Sequence, residues 1–397
     1  MFLSIILWRN CSKIHNIINA DIVLSRLIID FIIKRENLNI KHSRFQLVII
    51  KNTYPTAWAS DFINMNLQLF DVILRFNDLK SKLLMSYIPV KPNTLGLIRL
   101  TDIDLREIVP FIDWTFFFMA WRMSGKYEGI ETVHDCLSCK MSWLQNFPES
   151  DRPKAEEALK LFKDAQEMLR RFLAEKILSI NAGFGIYNGF AKDDNIHIQD
   201  FNQTIVIPTL RQQHPSTDGF CYSLADFLAE ENDYVGAFAT TISGVEAFAE
   251  KFEKEDDVYN SILVKTLSDR LAEAAAEWLH WKVRKEYWGY APDENLSVKE
   301  MLRTQYKGIR PAVGYPSLPD QSIIFELESL LKFNEIGIQL TENGAMFPNA
   351  SVCGLYFAHP QSKYFMIGKI DEKQFKDYAH RSGKSPEVLH KWMAANL

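Results

Sequence analysis

Residues 153–178 of this 397-residue chain read PKAEEALKLFKDAQEMLRRFLAEKIL, which is the pattern of a long amphipathic helix. Ser150 and Asp151 offer N-caps, and Pro153 suits the first turn. Apolar side chains recur every three or four positions and form one stripe: Leu161, Phe162, Ala165, Met168, Leu169, Phe172 and Leu173. This stretch therefore predicts a helix that packs with one face against a compact domain.

Outward from this helix, further helical patterns are separated by runs of β-branched and aromatic residues. A second long helix is predicted after Asp256 and Asp257, ending near Gly289, a third after Pro319 and Asp320, and a fourth near residues 373–380. Strands are predicted at residues 204–210, 234–241, 351–358 and 364–370. Because strands and helices do not alternate regularly, we expect an α+β domain with a central antiparallel sheet flanked by long helices.

Composition excludes several classes of protein. Charged residues make up 24% and hydrophobic residues 47% of the chain, so disorder and fibres are excluded as overall descriptions. A formal net charge of −5 argues against a nucleic-acid binder built on a basic face. No apolar run approaches the roughly 18 residues of a membrane span, and no signal peptide is predicted. Five cysteines form no disulfide framework in so long a chain, so we expect a cytoplasmic protein.

The first 95 residues differ from the rest of the chain. They contain none of the 17 glycines, and their charge is +6 (12 basic minus 6 acidic), against −11 (33 basic minus 44 acidic) for residues 96–397. Helical spacing of Leu24, Leu27, Ile28, Ile32 and Ile33 favours an amphipathic helical appendage. The alternative is a segment with little selected structure, even translated sequence upstream of the true start. We divide the chain into this appendage, residues 1–95, without an assigned function, and a domain, residues 96–397.

The glycine-rich run GFGIYNG, residues 183–189, looks superficially like a nucleotide-binding loop. Such a loop follows a strand and opens a helix. Here a long helix precedes the run, and Asp193 and Asp194 soon follow it. A β-hairpin is therefore predicted.

The run HDCLSC, residues 134–139, contains a CxxC pair. Cys136 and Cys139 with the nearby His134 are half of a zinc site, and thiolate pairs also serve redox exchange. A closed zinc site needs a fourth ligand, and no second CxxC follows; Cys221 and Cys353 stand alone in predicted strands. We favour a surface loop without chemistry, with a metal or redox role as the alternative.

The run RPAVGYP, residues 310–316, combines a guanidinium, a bare stretch of backbone and an aromatic ring. Pro311 and Pro316 bias the residues before them towards extended backbone, and Gly314 leaves the main chain open to close approach. A guanidinium binds a carboxylate bidentately, and an aromatic ring stacks on a base or caps a cation. The pattern predicts either a stiff binding loop or a proline-rich turn with an exposed arginine.

The run FIDWTFFF, residues 111–118, contains a single acid, Asp113. An ionised carboxylate in apolar surroundings is costly unless it is paired, which favours a cationic partner such as an ammonium group. The alternative is an N-cap whose carboxylate binds backbone N–H groups.

Six ordered motifs together point to a known family: IDW (112–114), LRQQ (210–213), VKTLSDRLAEAAAEWLH (264–280), YWGYAP (287–292), GIRPAVGYP (308–316) and SKYF (362–365). They closely resemble the C-terminal activation domain of cobalamin-dependent methionine synthase. The resemblance covers roughly residues 98–397 and implies a C-shaped α+β domain with a central antiparallel sheet. This fold agrees with the class expected from the pattern of helices and strands.

The resemblance also implies a ligand, a reaction and partners. Domains of this family bind S-adenosylmethionine and present it to a cobalamin held by a neighbouring module. They support the reductive remethylation of cob(II)alamin, for which flavodoxin or a related flavoprotein supplies an electron. This reactivation is distinct from the methylation of homocysteine within the same methyltransferase system of methionine biosynthesis.

The resemblance assigns roles at both ends of the amino-acid part of the ligand. Asp113 would take its ammonium and Arg310 its carboxylate, while Glu273 matches a family acid at the site, with a solvated helix face as the alternative. Around the ligand, the remaining matches are Ala312, Gly314 and Tyr315 of the loop and the aromatic pair Tyr364 and Phe365. The family usually has tyrosine at the second position of that pair. A backbone contact would survive in Phe365, whereas a hydroxyl contact would be lost.

Departures from the family limit what the chain does alone. The D-x-H-x-x-G motif of the cobalamin module is absent, and the folate and homocysteine modules would need several hundred further residues. We therefore expect cobalamin to be contacted in trans and methionine synthesis to require other modules. Two alternatives remain open: a truncated remnant that folds and binds S-adenosylmethionine without a working partner, and an S-adenosylmethionine-dependent methyltransferase with another acceptor.

Overall fold

The computed structural model describes residues 87–200 and 203–397. Its strands, in chain order, are β1 Gly96–Leu100, β2 Ser179–Lys192, β3 Asn195–Asp200, β4 Gln203–Pro208, β5 Asp233–Ser243, β6 Gln339–Leu340, β7 Met346–Phe347 and β8 Ser351–Tyr356. Its α-helices are α1 Leu105–Ile108, α2 Trp114–Ala120, α3 Leu137–Leu144, α4 Arg152–Glu175, α5 Val245–Lys254, α6 Val258–Lys282, α7 Val298–Leu302, α8 Ile324–Leu331, α9 Glu372–Ser382 and α10 Pro386–Trp392.

Six of the strands form one antiparallel sheet. The order is β4-β3-β2-β5-β8, and β1 pairs with the first half of the long strand β2. Antiparallel pairing joins β2 to β5 in a register that sets Phe184 opposite Phe238. The predicted α+β class with an antiparallel sheet and flanking helices is thereby confirmed. The helical pattern around Leu24 lies outside the described residues.

The sheet separates two apolar cores because successive side chains of a strand point to opposite faces. In β5, Phe238 and Ile242 pack with α4, α5 and α6, whereas Val235, Ala237 and Ala239 pack with α8 on the other side. Helix α6 lies on the first face, where the carbonyl of Ala272 accepts a hydrogen bond from Thr240 Oγ1 at 3.2 Å. A smaller third cluster joins α9 and α10.

The glycine-rich run lies inside the first strand of a β-hairpin, as predicted. Strand β2 continues to Lys192 and pairs with β3 across a turn at Asp193 and Asp194. Both turn residues have positive φ, 50° and 58°, which is the backbone that a two-residue hairpin turn requires. Gly185 faces the ring of Tyr187 so closely that an added Cβ would lie 2.2 Å from its hydroxyl.

The long helices occupy the predicted places with small differences. Helix α4 ends at Lys176 in the left-handed conformation, and Asp151 makes no side-chain cap bond. Asp257 caps α6 by accepting a hydrogen bond from Asn260 N at 3.1 Å. Leu173, predicted in the apolar stripe of α4, is 38% exposed, while the other six stripe residues are buried.

The strand predicted at residues 364–370 is not formed. This segment has no regular secondary structure, although two of its backbone N–H groups bind other parts of the domain. Ile367 N donates a hydrogen bond to Pro316 O at 2.9 Å, and Ile370 N donates one to Asn396 O at 2.9 Å. The aromatic side chains of this segment therefore pack against neighbouring parts of the domain, and its backbone does not pair with another strand.

Residues 87–95 pack against the domain ahead of the boundary expected at Gly96. The carbonyl of Val90 accepts a hydrogen bond from Trp288 Nε1 at 2.9 Å, and Thr94 N donates one to Tyr287 O at 3.0 Å. The hydroxyl of Tyr87 donates to the carboxylate of Asp233. Among the described residues, no helix is both long and apolar enough to cross a membrane.

Candidate functional site

The loop of residues 308–316 lies along the free edge of β8. Leu355 N donates to Pro311 O at 3.0 Å, and Val313 N donates to Cys353 O at 2.9 Å. This approach requires Gly354, since a Cβ there would lie 2.2 Å from Pro311 O. Gly314 has a different reason: its φ is +84°, in the left-handed region that favours glycine. The stiff loop expected from the two prolines is thus an added strand-like edge of the sheet.

The guanidinium of Arg310 turns from this loop towards helix α6. Its Nε and Nη2 donate to Oε2 of Glu277 at 3.1 and 3.0 Å, and its Nη1 lies 3.8 Å from Oε2 of Glu273. The side chain of Glu277 is 6% exposed, that of Arg310 15% and that of Glu273 24%. Burial alone lowers the pKa of Arg310, but the charge of Glu277 outweighs this effect and raises that pKa above its ordinary range. Arg310 is therefore a fixed cation and not an exposed turn residue.

Helix geometry brings both acids to Arg310. Glu273 and Glu277 are four residues apart, so they lie on one face of α6. The sequence matches singled out Glu273 but not Glu277. The argument made for Asp113 would also have found Glu277. This residue is a single acid between three alanines and Trp278, and a carboxylate in apolar surroundings needs a partner.

Two tyrosines complete the surroundings of Arg310. The hydroxyl of Tyr315 donates to Oε1 of Glu273 at 2.5 Å, and half of this residue remains exposed. Burial of its phenol and the charge of Glu273 raise the pKa of Tyr315 to about 12. The hydroxyl of Tyr364 accepts a hydrogen bond from Arg310 N at 3.0 Å and lies 3.3 Å from the hydroxyl of Tyr306. The structure thus brings Glu273, Arg310, Tyr315 and Tyr364 together.

Phe365 points away from this group. Its ring centroid lies 5.8 Å from that of Tyr222 and 6.1 Å from that of Phe227. These contacts place the ring of Phe365 in apolar surroundings. With its ring packed there, a contact of Phe365 with a ligand at the Arg310 group would be made by its backbone.

A cavity of about 360 Å³ adjoins the loop. Among the predicted residues, Glu273, Ala312, Gly314 and Tyr315 line it. Gln321, Ser351 and Cys353 contribute further polar or sulfur atoms. Arg310 and Tyr364 lie outside its lining, so this cavity meets the guanidinium group only through Glu273 and Tyr315.

Asp113 caps helix α2. Its Oδ1 accepts a hydrogen bond from Thr115 N at 2.8 Å, and the residue is half-buried. No ion pair or hydrogen bond links Asp113 with Arg310 or the two tyrosines among residues 87–200 and 203–397. The N-cap interpretation is confirmed, while its role towards a ligand stays a prediction.

A buried polar layer lies beneath Arg310. His280 follows Glu277 by one turn of α6, stacks on Tyr356 with centroids 5.2 Å apart, and contacts the Tyr290 hydroxyl at 3.1 Å. Burial, with the charges of Arg284 and Arg310, lowers the pKa of His280 well below its ordinary value. Within the described chain, Glu277 Oε1, His280 Nδ1 and the Tyr356 hydroxyl are buried without a hydrogen-bond partner.

The CxxC pair is joined in a disulfide. Cys136 and Cys139 have Cα atoms 5.3 Å apart, and Cys136 forms the N-cap of α3. No group of three or more metal-ligating side chains occurs in the described ranges. The interpretation as a surface loop without chemistry is wrong in one respect, because the two thiols have reacted with each other.

Comparisons with known proteins agree on one family. A family model described as "Vitamin B12 dependent methionine synthase, activation domain" matches residues 104–383. A solved structure described as "Crystal Structure of the MetH Reactivation Domain bound to AdoHcy" is 41% identical to this chain, with a TM-score of 0.69. The match covers 78% of this chain and 93% of that one. The resemblance inferred from the six sequence motifs is thereby confirmed.

Proposed function

We propose, since this chain belongs to the family of vitamin B12-dependent methionine synthase activation domains, that it binds S-adenosylmethionine beside Arg310 for the reactivation of cobalamin. The observation that carries the proposal is the group formed by Arg310, Glu273, Glu277 and Tyr315. It joins charges of both signs to an exposed aromatic ring, which are the features that a charged nucleoside requires. The relative bound to AdoHcy supports a ligand of this class.

The charges of the group suit a ligand with net positive charge. Two carboxylates, Glu273 and Glu277, face one guanidinium, so the sum is −1. S-Adenosylmethionine carries an ammonium, a carboxylate and a sulfonium, and its net charge is +1. AdoHcy lacks the sulfonium and is neutral overall. Electrostatic complementarity therefore favours S-adenosylmethionine over AdoHcy.

Each residue has a role that its chemistry allows. Nη1 of Arg310 lies 3.8 Å from Glu273, which is longer than a hydrogen bond. Nη1 would therefore bind the carboxylate of the ligand. Asp113 has a second carboxylate oxygen beyond its cap bond and would accept from the ammonium. Glu273, between the guanidinium and Tyr315, would stabilise the positive charge of the sulfonium.

The loop and its aromatic residues would hold the nucleoside. Tyr315 is half exposed beside a cavity of about 360 Å³, and ligand pockets of roughly 300–1,000 Å³ are typical. Ala312 and Gly314 line the same cavity with little side-chain bulk. Tyr364 would act by fixing the backbone of Arg310, and Phe365 through its main chain.

The bound ligand would supply an activated methyl group, and the domain would present it to a cobalamin carried by another module. The residues named above would bind and orient this methyl donor. A flavodoxin or related flavoprotein would deliver the electron. We also propose that this component of the methyltransferase system acts in the cytoplasm.

Isothermal titration calorimetry of the full chain tests the proposal. We expect micromolar affinity for S-adenosylmethionine, about −8 kcal/mol or less in magnitude. Arg310→Ala should weaken binding by about 1.5–3 kcal/mol, the scale of hydrogen bonds to a charged group. The matched control is Arg303→Ala, which removes an exposed arginine at the end of helix α7 and should leave the affinity unchanged. Absence of heat at millimolar ligand would contradict the proposal.

A second measurement distinguishes the open alternatives. The chain is mixed with a cobalamin-loaded module of a methionine synthase, a reduced flavodoxin and methyl-labelled S-adenosylmethionine. Transfer of label to cobalamin is expected. Retained binding without transfer would identify a remnant, and label on another acceptor would identify a different methyltransferase.

A further inference from the structure

The disulfide between Cys136 and Cys139 closes a very short loop, with a sequence separation of three. A disulfide stabilises a protein mainly by restricting the unfolded chain, and this effect grows with the length of the closed loop. Here the two cysteines belong to the first turn of one short helix, α3, and join no separate elements. The contribution of this bond to stability is therefore small. Its reactivity towards other thiols is the property that can have a function.

The two sulfur atoms have different surroundings. Cys136 is exposed, whereas Cys139 is half-buried. Cys136 Sγ accepts a hydrogen bond from Cys139 N at 3.0 Å, at the N-terminus of the eight-residue helix α3. Such a donor stabilises a thiolate once the disulfide is reduced. Because Cys136 is exposed, an external thiolate can reach its sulfur. Because of the N–H donor, Cys136 would form the more stable thiolate of the two after reduction.

The other two cysteines of the described chain are buried, in contrast to Cys136. Cys353 is 2% exposed, and burial raises the pKa of its thiol to about 12. Cys221 is buried as well, at 4% exposure. The contrast separates one accessible pair from two enclosed thiols within the same domain.

We propose that Cys136 and Cys139 form a reversible dithiol–disulfide exchange site for an external dithiol protein. A thiolate of that protein attacks Cys136 Sγ, the bond between the two sulfurs breaks, and Cys139 leaves as a thiolate. The second thiolate of the donor then attacks the donor's own sulfur in the mixed disulfide and releases Cys136. The pair gains two electrons, the two released thiolates take protons from water, and the donor dithiol becomes a disulfide.

The surface around the pair leaves room for such a donor. Leu137, between the cysteines, is 75% exposed, and Met141 is 51% exposed. Ion pairs of Asp135 with Lys163 and of Lys140 with Glu156 tie the segment to helix α4 from both sides. A partner chain can therefore contact an apolar, charge-flanked surface without displacing the core.

The test uses the full chain with Cys11→Ser, because Cys11 lies outside the described residues. The protein is equilibrated under native conditions in buffers of reduced and oxidised dithiothreitol, quenched with acid, alkylated and weighed by mass spectrometry. We expect one two-electron transition that involves Cys136 and Cys139 alone. In the reduced protein, Cys136 should be alkylated about tenfold faster than Cys139 and roughly a thousandfold faster than Cys353.

Single substitutions distinguish an exchange site from a passive bond. Cys139→Ser should leave Cys136 able to form a mixed disulfide with glutathione, while Cys136→Ser should slow this reaction about tenfold at the remaining half-buried thiol. The proposal is overturned if the pair is reduced only after unfolding, if it fails to form under the most oxidising buffer, or if both thiols react as slowly as Cys353. Circular dichroism of both variants verifies that they are folded.

Discussion

Arg310 and Asp113 are the two charged residues around which the sequence predicted one pocket, and their surroundings differ. The charge of Arg310 meets two side chains of helix α6, Glu277 at 3.0 Å and Glu273 at 3.8 Å. The charge of Asp113 meets a backbone N–H two residues away, at 2.8 Å. One charge is thus balanced by tertiary structure and the other by the local chain.

The difference shows how an isolated charge in an apolar sequence should be interpreted. Asp113 and Glu277 both stand alone among apolar residues, yet Asp113 is half-buried at a helix start and Glu277 is 6% exposed in a helix middle. A helix N-terminus offers free N–H groups, whereas a helix interior offers none. An isolated acid therefore requires a distant cation only where the backbone cannot bind it.

The largest expected effect follows from breaking the Arg310 pair. Glu277→Gln removes the charge that balances a mostly buried guanidinium, so the free energy of unfolding should fall by about 3 kcal/mol or more. Glu273→Gln is the matched control, since Glu273 is more exposed and farther from Arg310; its cost should stay below about 1 kcal/mol. Urea unfolding of both variants measures the difference, and equal costs would refute the distinction.

A second change acts on the loop that carries Arg310. Gly354→Ala puts a Cβ 2.2 Å from Pro311 O, so the loop must move from β8, at a cost of about 1–3 kcal/mol in stability and with loss of ligand affinity. Gly183→Ala is the control, because its Cβ would meet the end of the Ile336 side chain at 3.3 Å. Thermal unfolding and calorimetry with S-adenosylmethionine report both effects. Unchanged affinity in Gly354→Ala would separate the loop from the site.

The buried layer beneath Arg310 adds a pH dependence. Because burial holds the pKa of His280 well below its ordinary value, the unfolded chain binds a proton that the folded chain does not. Stability should therefore be full above the unfolded pKa of about 6.5 and fall as pH decreases below it, by up to about 1.4 kcal/mol per pH unit. His280→Gln should flatten urea-unfolding free energies between pH 6.5 and pH 5.5, whereas the exposed His390→Gln should not. Parallel curves for the wild type and His280→Gln would exclude His280 as the cause.

The smallest effect separates the two roles of Asp113. Asn caps helices as well as Asp, so Asp113→Asn should keep stability within a few tenths of a kcal/mol, whereas Asp113→Ala should lose about 1 kcal/mol. If the carboxylate also binds the ammonium of the ligand, both variants weaken binding of S-adenosylmethionine. Calorimetry decides this point: full affinity in Asp113→Asn would leave Asp113 with the cap alone.

Local sequence patterns predicted most elements of the fold. The 3.6-residue period located both ends of helix α4 and the start of α6 to within a few residues, although α6 ends at Lys282 and not near Gly289. The β-branched runs located β4, β5 and β8. The pattern failed at residues 364–370, where Phe365 packs against Tyr222 and Phe227 and the backbone forms no ladder. An aromatic run is equally consistent with a strand and with an irregular segment packed on a core.

The candidate site was predictable only where the residues are recognised from their own stretch of sequence. The run of residues 310–316 by itself predicted a binding loop with the guanidinium of Arg310 and the ring of Tyr315. Glu273 was predicted from the family motif. Glu277 and Gly354 were missed, since their importance depends on what lies opposite them: the Arg310 guanidinium at 3.0 Å and the Pro311 carbonyl. Neither neighbour is close in sequence.

The sequence by itself determined the family and most of the helices and strands, because periodicity and ordered motifs are properties of neighbouring residues. Tertiary structure decided that Glu277 pairs with Arg310, and that β8 accepts the loop at Gly354. It also decided that Cys136 is open to solvent while Cys353 is enclosed. The physical reason is that pairing of charges and exclusion of water depend on which distant segments meet when the sheet and helix α6 pack together.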